Sequence, residues 1–215
     1  VSLDLETTGL EPRTDDIMEI AMIRVRAGKV VAQWESFVYT PLEISDHVSY
    51  LTGISAHDLE NAPDFIELIP QIQDFIGDDP LVGHNIWFDW NFLMQKGVKI
   101  EKTPLWDTYT FSNLLYPELP SHSLETNTKY FRIAHEDSHR AMADVMASHE
   151  LWQVLISTYP EIGEAQREQI RSLAKRSSWP VMYFFLRDRP QTKQAISLPE
   201  IPSYRPCPQE LLKLP

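Results

Sequence analysis

Asp4 and Glu6 stand two residues apart in the opening stretch Val1-Ser-Leu-Asp-Leu-Glu-Thr-Thr-Gly-Leu10, interleaved with Leu3 and Leu5. At that spacing on a strand, both carboxylates point to the same face of a sheet. Two acids on one face of a buried strand repel each other and lose hydration, which is costly unless a cation sits between them. Oxygen-only ligands suit a hard ion such as Mg²⁺ or Mn²⁺. A solvated edge strand would explain the pair by itself equally well, so the pair carries weight only with further acids elsewhere.

The chain supplies them. Asp89 lies in Gly83-His-Asn-Ile-Trp-Phe-Asp-Trp-Asn-Phe-Leu93, in the first turn of an expected helix that leaves a strand end. An isolated first-turn Asp more often only complements the helix dipole. Asp144 is the odder residue. Its neighbours at helical spacing are Ala141, Ser148 and, one step further, Leu151, so it faces inward where a solvated acid would not. A buried Arg or Lys could pair with it, but the body of the chain is poor in cations. His139 precedes Asp144 by five residues, about 140° around a helix, so the two cannot share a helical face. His139 therefore sits at the helix start or in the loop before it. His135 and His149 read as ordinary surface or packing histidines.

Four inward acids and one histidine can do coherent chemistry. Two divalent ions held by carboxylates would grip a phosphodiester from both sides, lower the pKa of a water and stabilise the departing 3′ oxygen. A histidine can take the water's proton. No Ser–His–Asp or Cys–His arrangement competes, and there is neither a phosphate-binding glycine loop nor a zinc-ligand cluster.

The elements that must position these residues are legible. Strands are expected at about Ser2–Glu6, Ile17–Arg26 and Lys29–Val38, with Ala27-Gly28 as the turn and antiparallel pairing between them. Pro41 to Leu59 reads as irregular with a helical turn or two. Asp64 opens a helix with Phe65, Leu68, Ile69, Ile72, Phe75 and Ile76 at helical spacing, and Pro70 either kinks it or marks a second start. Leu81–His84 is a short strand leading into a helix from Asn85 to Met94, ended by Gly97. Pro104–Trp106 is another strand, with Asp107 as the cap of the next helix. Helices then run from Ser123 to Tyr130, from Arg140 to Thr158, and from about Ile162 to Lys175. The pattern indicates an α/β domain with a mixed sheet.

Composition narrows the class. Among 215 residues no apolar run approaches a membrane span, and no signal-peptide pattern is present. The single cysteine, Cys207, fits a reducing cytosol and a cytoplasmic setting. The net charge of −12 is uneven: residues 171–215 carry about +5 and the rest about −17. An acidic body argues against gripping long duplexes by charge, but not against holding a strand end through metal ions. Seven of the 16 prolines lie at or beyond Pro180, so residues 1–175 read as the domain and 176–215 as a Pro-rich basic tail or linker. Trp179 to Leu186 is aromatic and should dock somewhere.

Taken together, the motifs resemble a known family. Ser2-Leu-Asp-Leu-Glu-Thr-Thr-Gly-Leu10 resembles the first motif of the DnaQ-like, DEDDh 3′–5′ exonucleases. His84-Asn-Ile-Trp-Phe-Asp-Trp-Asn-Phe-Leu93 is similar to the second. His139-Arg-Ala-Met-Ala-Asp144 is similar to the third, including its His-x4-Asp spacing. Lesser echoes are Asp16-Ile-Met-Glu-Ile-Ala21, Leu51-Thr-Gly-Ile-Ser55 and Trp106-Asp-Thr108. The resemblance covers roughly Val1 to Tyr159, and three ordered motifs are far more specific than one. It implies a ribonuclease-H-like fold, a five-stranded mixed sheet flanked by helices. It implies Asp4, Glu6, Asp89 and Asp144 as ligands of two Mg²⁺ or Mn²⁺ ions, Asp4 bridging both, with His139 as general base.

For substrate, Thr7, Thr8, Gly9 and Leu10 resemble the part of the family that receives a 3′ end. Asn85 could reach a phosphate or sugar, or simply cap its helix. Phe88 and Trp90 could stack on a base, or pack in the core. Glu19 reads as structural. The expected substrate is a few nucleotides of single-stranded nucleic acid, with DNA favoured over RNA. The expected settings are proofreading beside a polymerase, trimming or DNA repair with a helicase, or RNA end maturation, with the tail tethering a further module. A catalytically silent 3′-end-binding scaffold is the alternative, and the intact acids count against it.

Overall fold

The computed structural model describes residues 1–135, 139–177 and 182–187. Five strands form one sheet: β1 (Ser2–Thr7), β2 (Ile17–Arg26), β3 (Lys29–Phe37), β4 (Leu81–Gly83) and β5 (Leu105–Asp107). Their order is β3-β2-β1-β4-β5. β1 to β3 form an antiparallel meander, and β4 and β5 join it in parallel. The β2–β3 turn uses positive φ at both Ala27 (50°) and Gly28 (74°), as a two-residue hairpin requires.

The helices are α1 (Asp46–Thr52), α2 (Ala56–Leu59), α3 (Phe65–Ile76), α4 (Ile86–Gln95), α5 (Thr108–Leu115), α6 (Leu124–Phe131), α7 (Ala141–Thr158), α8 (Glu164–Arg176) and α9 (Tyr183–Arg187). Pro70 does not divide α3, which is one helix through it. Leu68, Ile72 and Ile76 bury one side of α3, and that burial outweighs the hydrogen bond a proline cannot donate.

Strand alternation sorts the layers. Leu3, Leu5, Ile20 and Met22 face α3 and α4, against Leu68, Ile72, Phe92 and Leu93. Ala21 and Ile23 pack with Ala141 and Val145 of α7. Asp4 and Glu6 alternate with Leu3 and Leu5, so they share the α7 side of the sheet. A further cluster centres on Phe111 and Trp152, and Phe184 and Phe185 dock into it, with Phe111 and Phe185 stacked at 4.6 Å. Part of the aromatic stretch 179–186 thus lies on the body of the domain. Trp179 itself, Cys207 and the rest of 188–215 are outside the described residues. Among the described residues, no helix is long and apolar enough to cross a membrane.

Candidate active site

β1 carries Asp4 and Glu6 past the point where it stops pairing with β4, since the two strands meet at Ser2 and Val82. Gly83 makes that approach possible. A Cβ there would lie 3.0 Å from the Leu3 carbonyl and 2.8 Å from Ile86 Cδ1. α4 leaves the end of β4 and brings Asp89, 2 % exposed, alongside β1, where the Leu5 backbone bonds its carboxylate. α7 brings Asp144 to the same place.

The electrostatics record the convergence. Burial pushes the Asp4 carboxyl well above its ordinary range, and the charges of Asp89, Asp144, Glu6 and Glu19 add to the shift. Some of Asp4 stays open to solvent although protein packs closely round it, so it lines a recess rather than a sealed core. Burial, with Asp144, Glu19 and Asp89, pushes Glu6 up to about 8, and Arg140 opposes it. Asp89 is likewise raised by burial and by Asp107 and Asp144, against backbone bonds that pull it down. Acids from β1, α4 and α7 therefore sit within one another's field. Glu6, His139 and Asp144 each present a ligand atom within 4.8 Å of the others.

The turn after β1 is fixed from within. Thr7 Oγ1 donates to the Gly9 carbonyl (2.6 Å), and Thr8 Oγ1 accepts from Asp16 N–H (3.0 Å). A Cβ on Gly9 would fall 2.4 Å from Asp15 Oδ2, so a larger residue must displace that carboxylate. The turn holds Leu10 out, 84 % exposed.

Other expected contacts resolve differently. Asn85 is exposed, has φ 63° and does not cap α4 with its side chain. Asp107 does that work, accepting from Asn85 N–H (2.7 Å) and Ile86 N–H (3.2 Å) while also capping α5 through Thr110 N–H (3.0 Å). Phe88 is half-buried against Phe92 at 4.8 Å and packs on the core. Trp90 stacks on Trp87 and donates its indole N–H to the Ile100 carbonyl (3.1 Å), a packing role.

His135 corrects the sequence reading. It is neither a surface nor a mere packing histidine: its Nε2 lies 2.5 Å from Asp144 Oδ1, with both side chains largely covered. His139 N–H points to the same oxygen at 3.4 Å. Asp144 thus has a protein partner, though not the Arg or Lys weighed from the sequence. His149 is buried, and its pKa is lowered by that burial, as a packing histidine's would be.

Residues 1–152 match the family model RNase_T, described as Exonuclease. This chain belongs to that exonuclease family. It is a DnaQ-like 3′–5′ exonuclease domain. The chain is 35% identical over 175 residues to the DNA polymerase III PolC-type of Bacillus subtilis (strain 168), covering 79% of this chain and 12% of that one. It is 33% identical over 177 residues to the PolC-type enzyme of Caldanaerobacter subterraneus subsp. tengcongensis, covering 80% of this chain and 13% of that one. The exonuclease domain thus spans only a small part of the length of these relatives. Its fold is shared with Exonuclease X in complex with 5′ overhanging duplex DNA, at TM-score 0.62 and 23% identity over 73% of this chain and 90% of that one. It is shared too with E. coli Exonuclease I in complex with a dT13 oligonucleotide, at TM-score 0.65 and 21% identity over 74% of this chain and 41% of that one. The five-stranded mixed sheet with flanking helices expected from the sequence is the fold of these enzymes.

Proposed function

We propose that this exonuclease domain removes 5′-mononucleotides one at a time from the 3′ end of single-stranded DNA. One observation carries the reading. Asp4, Glu6 and Asp89 converge where burial raises all three carboxyls, and the charge of Asp144 adds to the shift in each. Such a group is poorly stable as free anions and suited to hard divalent cations. Asp4, Glu6, Asp89 and Asp144 are the residues that would hold two Mg²⁺ or Mn²⁺ ions. When bound, the ions would supply charge neutralisation at the phosphate and a water of lowered pKa.

The chain's own residues do the rest. His139 takes a proton from the attacking water as its oxygen forms a bond to phosphorus. The P–O3′ bond breaks, and the electron pair leaves with the 3′ oxygen of the shortened strand. Leu10, held out by the Thr7–Gly9 turn, offers an apolar face to the terminal base, and Asn85 offers an exposed amide to the backbone. DNA is favoured because the relatives named above are DNA polymerases and the structural neighbours are described with DNA. A PolC-like setting makes a polymerase the natural partner and proofreading the natural role, with residues 176–215 as the link.

The test is digestion of matched 5′-labelled DNA and RNA single strands with Mg²⁺. A ladder shortening from the 3′ end of DNA, abolished by Asp4→Ala, is expected. Tight 3′-end binding without any ladder would make this a silent binding domain instead.

A further inference from the structure

Glu19 faces Glu6 directly across the β1–β2 pair, a like-charged placement that ordinarily destabilises a sheet. It is only 4 % exposed. By position it is a fifth carboxylate on the side of the sheet that carries Asp4 and Glu6, yet its hydrogen bonds run to the start of α7. Its Oε1 accepts from Arg140 Nη2 (2.9 Å), and its Oε2 accepts from Arg140 Nε (3.3 Å) and from Ala141 N–H (3.1 Å). Arg140 stands at the N-cap of α7 and makes no cap bond with its own side chain. Glu19 therefore caps α7 from another element. The Arg140 guanidinium also lies 5.5 Å over the Phe37 ring.

The neighbouring residue explains what such a clamp is for. His139 has φ 67°, a left-handed backbone that a residue other than glycine keeps only when its surroundings enforce it. On one side of it, Asp144 receives a long bond from His139 N–H (3.4 Å). On the other side stands Arg140, gripped by a bidentate pair, the strongest and most directional form of ion pair.

We propose that Glu19 is a positioning residue. Through Arg140 and Ala141 it fixes the backbone that aims His139 at the pocket of Glu6 and Asp144. This rests on the function proposed above. The rival role, a fifth metal ligand, is disfavoured because the Arg140 guanidinium and the helix N-terminus already satisfy the Glu19 carboxylate.

The experiment is a double-mutant cycle in the full chain: Glu19→Ala, His139→Ala and the pair, with Mn²⁺ affinity measured calorimetrically for each. Glu19→Ala is expected to lower kcat by about 10- to 100-fold, the usual cost of losing a supporting contact, with Mn²⁺ affinity not weakened. The double variant is expected to be no slower than His139→Ala, since Glu19 acts through His139. Multiplying losses, an unchanged kcat or weakened Mn²⁺ binding would overturn the assignment. If circular dichroism shows Glu19→Ala unfolded, Glu19→Gln carries the same cycle. It keeps one oxygen for Ala141 N–H but loses the ion pair. If the wild type and Asp4→Ala prove equally inert, the nuclease reading fails and this inference with it. An active wild type with multiplying losses sinks this inference alone.

Discussion

Replacing Glu6 by Gln should make the metal-free protein more stable while disabling it. Glu6 is pushed from an ordinary 4.5 up to about 8 in the folded protein, chiefly by burial and then by Asp144, Glu19 and Asp89. A folded pKa above the unfolded one means that the folded state binds the extra proton. Stability is then full below about pH 4.5 and falls as pH rises toward 8. At about pH 7 the folded state still holds Glu6 largely protonated, and keeping that proton costs roughly 3 kcal/mol, from some 2.5 units at 1.36 kcal/mol each. Glu6→Gln removes that cost, and for a chain of this size the melting temperature should rise by about 6–12 °C. The assay is thermal denaturation in EDTA at about pH 5 and pH 7, repeated with saturating Mg²⁺. The gain should be present at the higher pH, shrink at the lower one, and reverse with Mg²⁺, which stabilises the wild type more. A variant no more stable than wild type in EDTA at neutral pH would mean that the folded state does not strain the Glu6 carboxylate, and the prediction would fail.

His139→Ala should lower turnover while calorimetric Mn²⁺ binding survives, since His139 acts as a base and not as a ligand; loss of binding would contradict that role. At limiting Mg²⁺, initial rates should climb between about pH 6 and pH 8, because Glu6, held near 8, must shed its proton to hold an ion and a histidine base must be neutral. A flat profile would oppose both causes. Asp107→Ala strips a buried carboxylate from the amides of Asn85, Ile86 and Thr110, and should cost roughly 3 kcal/mol or more by urea denaturation. The same variant should also reduce nuclease activity, since Asp107 anchors the turn that aims Asp89.

Much of this molecule was legible from local pattern. The alternation of Leu3 and Leu5 with Asp4 and Glu6 gave both the strand and the shared face of the acids. Asp107 followed by Thr108 announced a helix start, and Asp107 does cap α5. α7 was readable by its length and by Pro160, even though Ala147, Ser148, His149 and Trp152 bury it on several sides and blur its apolar stripe. What stayed hidden depends on contacts between distant residues. Nothing in the spacing reveals that Asp107 reaches back to cap α4, taking the task offered to Asn85. His135 meets Asp144 from a stretch of sequence with no hydrophobic period of its own. The one available signal was that His135, His139 and Asp144 crowd into a single ten-residue run. Glu19 read as structural, but its partner, Arg140, lies in another motif and could not be named from spacing. Phe88 and Trp90 are adjacent to the second motif, but adjacency in sequence does not say which way a helical ring turns.

The nuclease reading stands or falls on the carboxylates of β1, α4 and α7 holding two divalent ions together. Calorimetric titration of the metal-free protein with Mn²⁺ is the direct test. Two ions per chain are expected for the wild type, with binding largely lost in Asp4→Asn. No specific binding, or binding that Asp4→Asn leaves untouched, would contradict it.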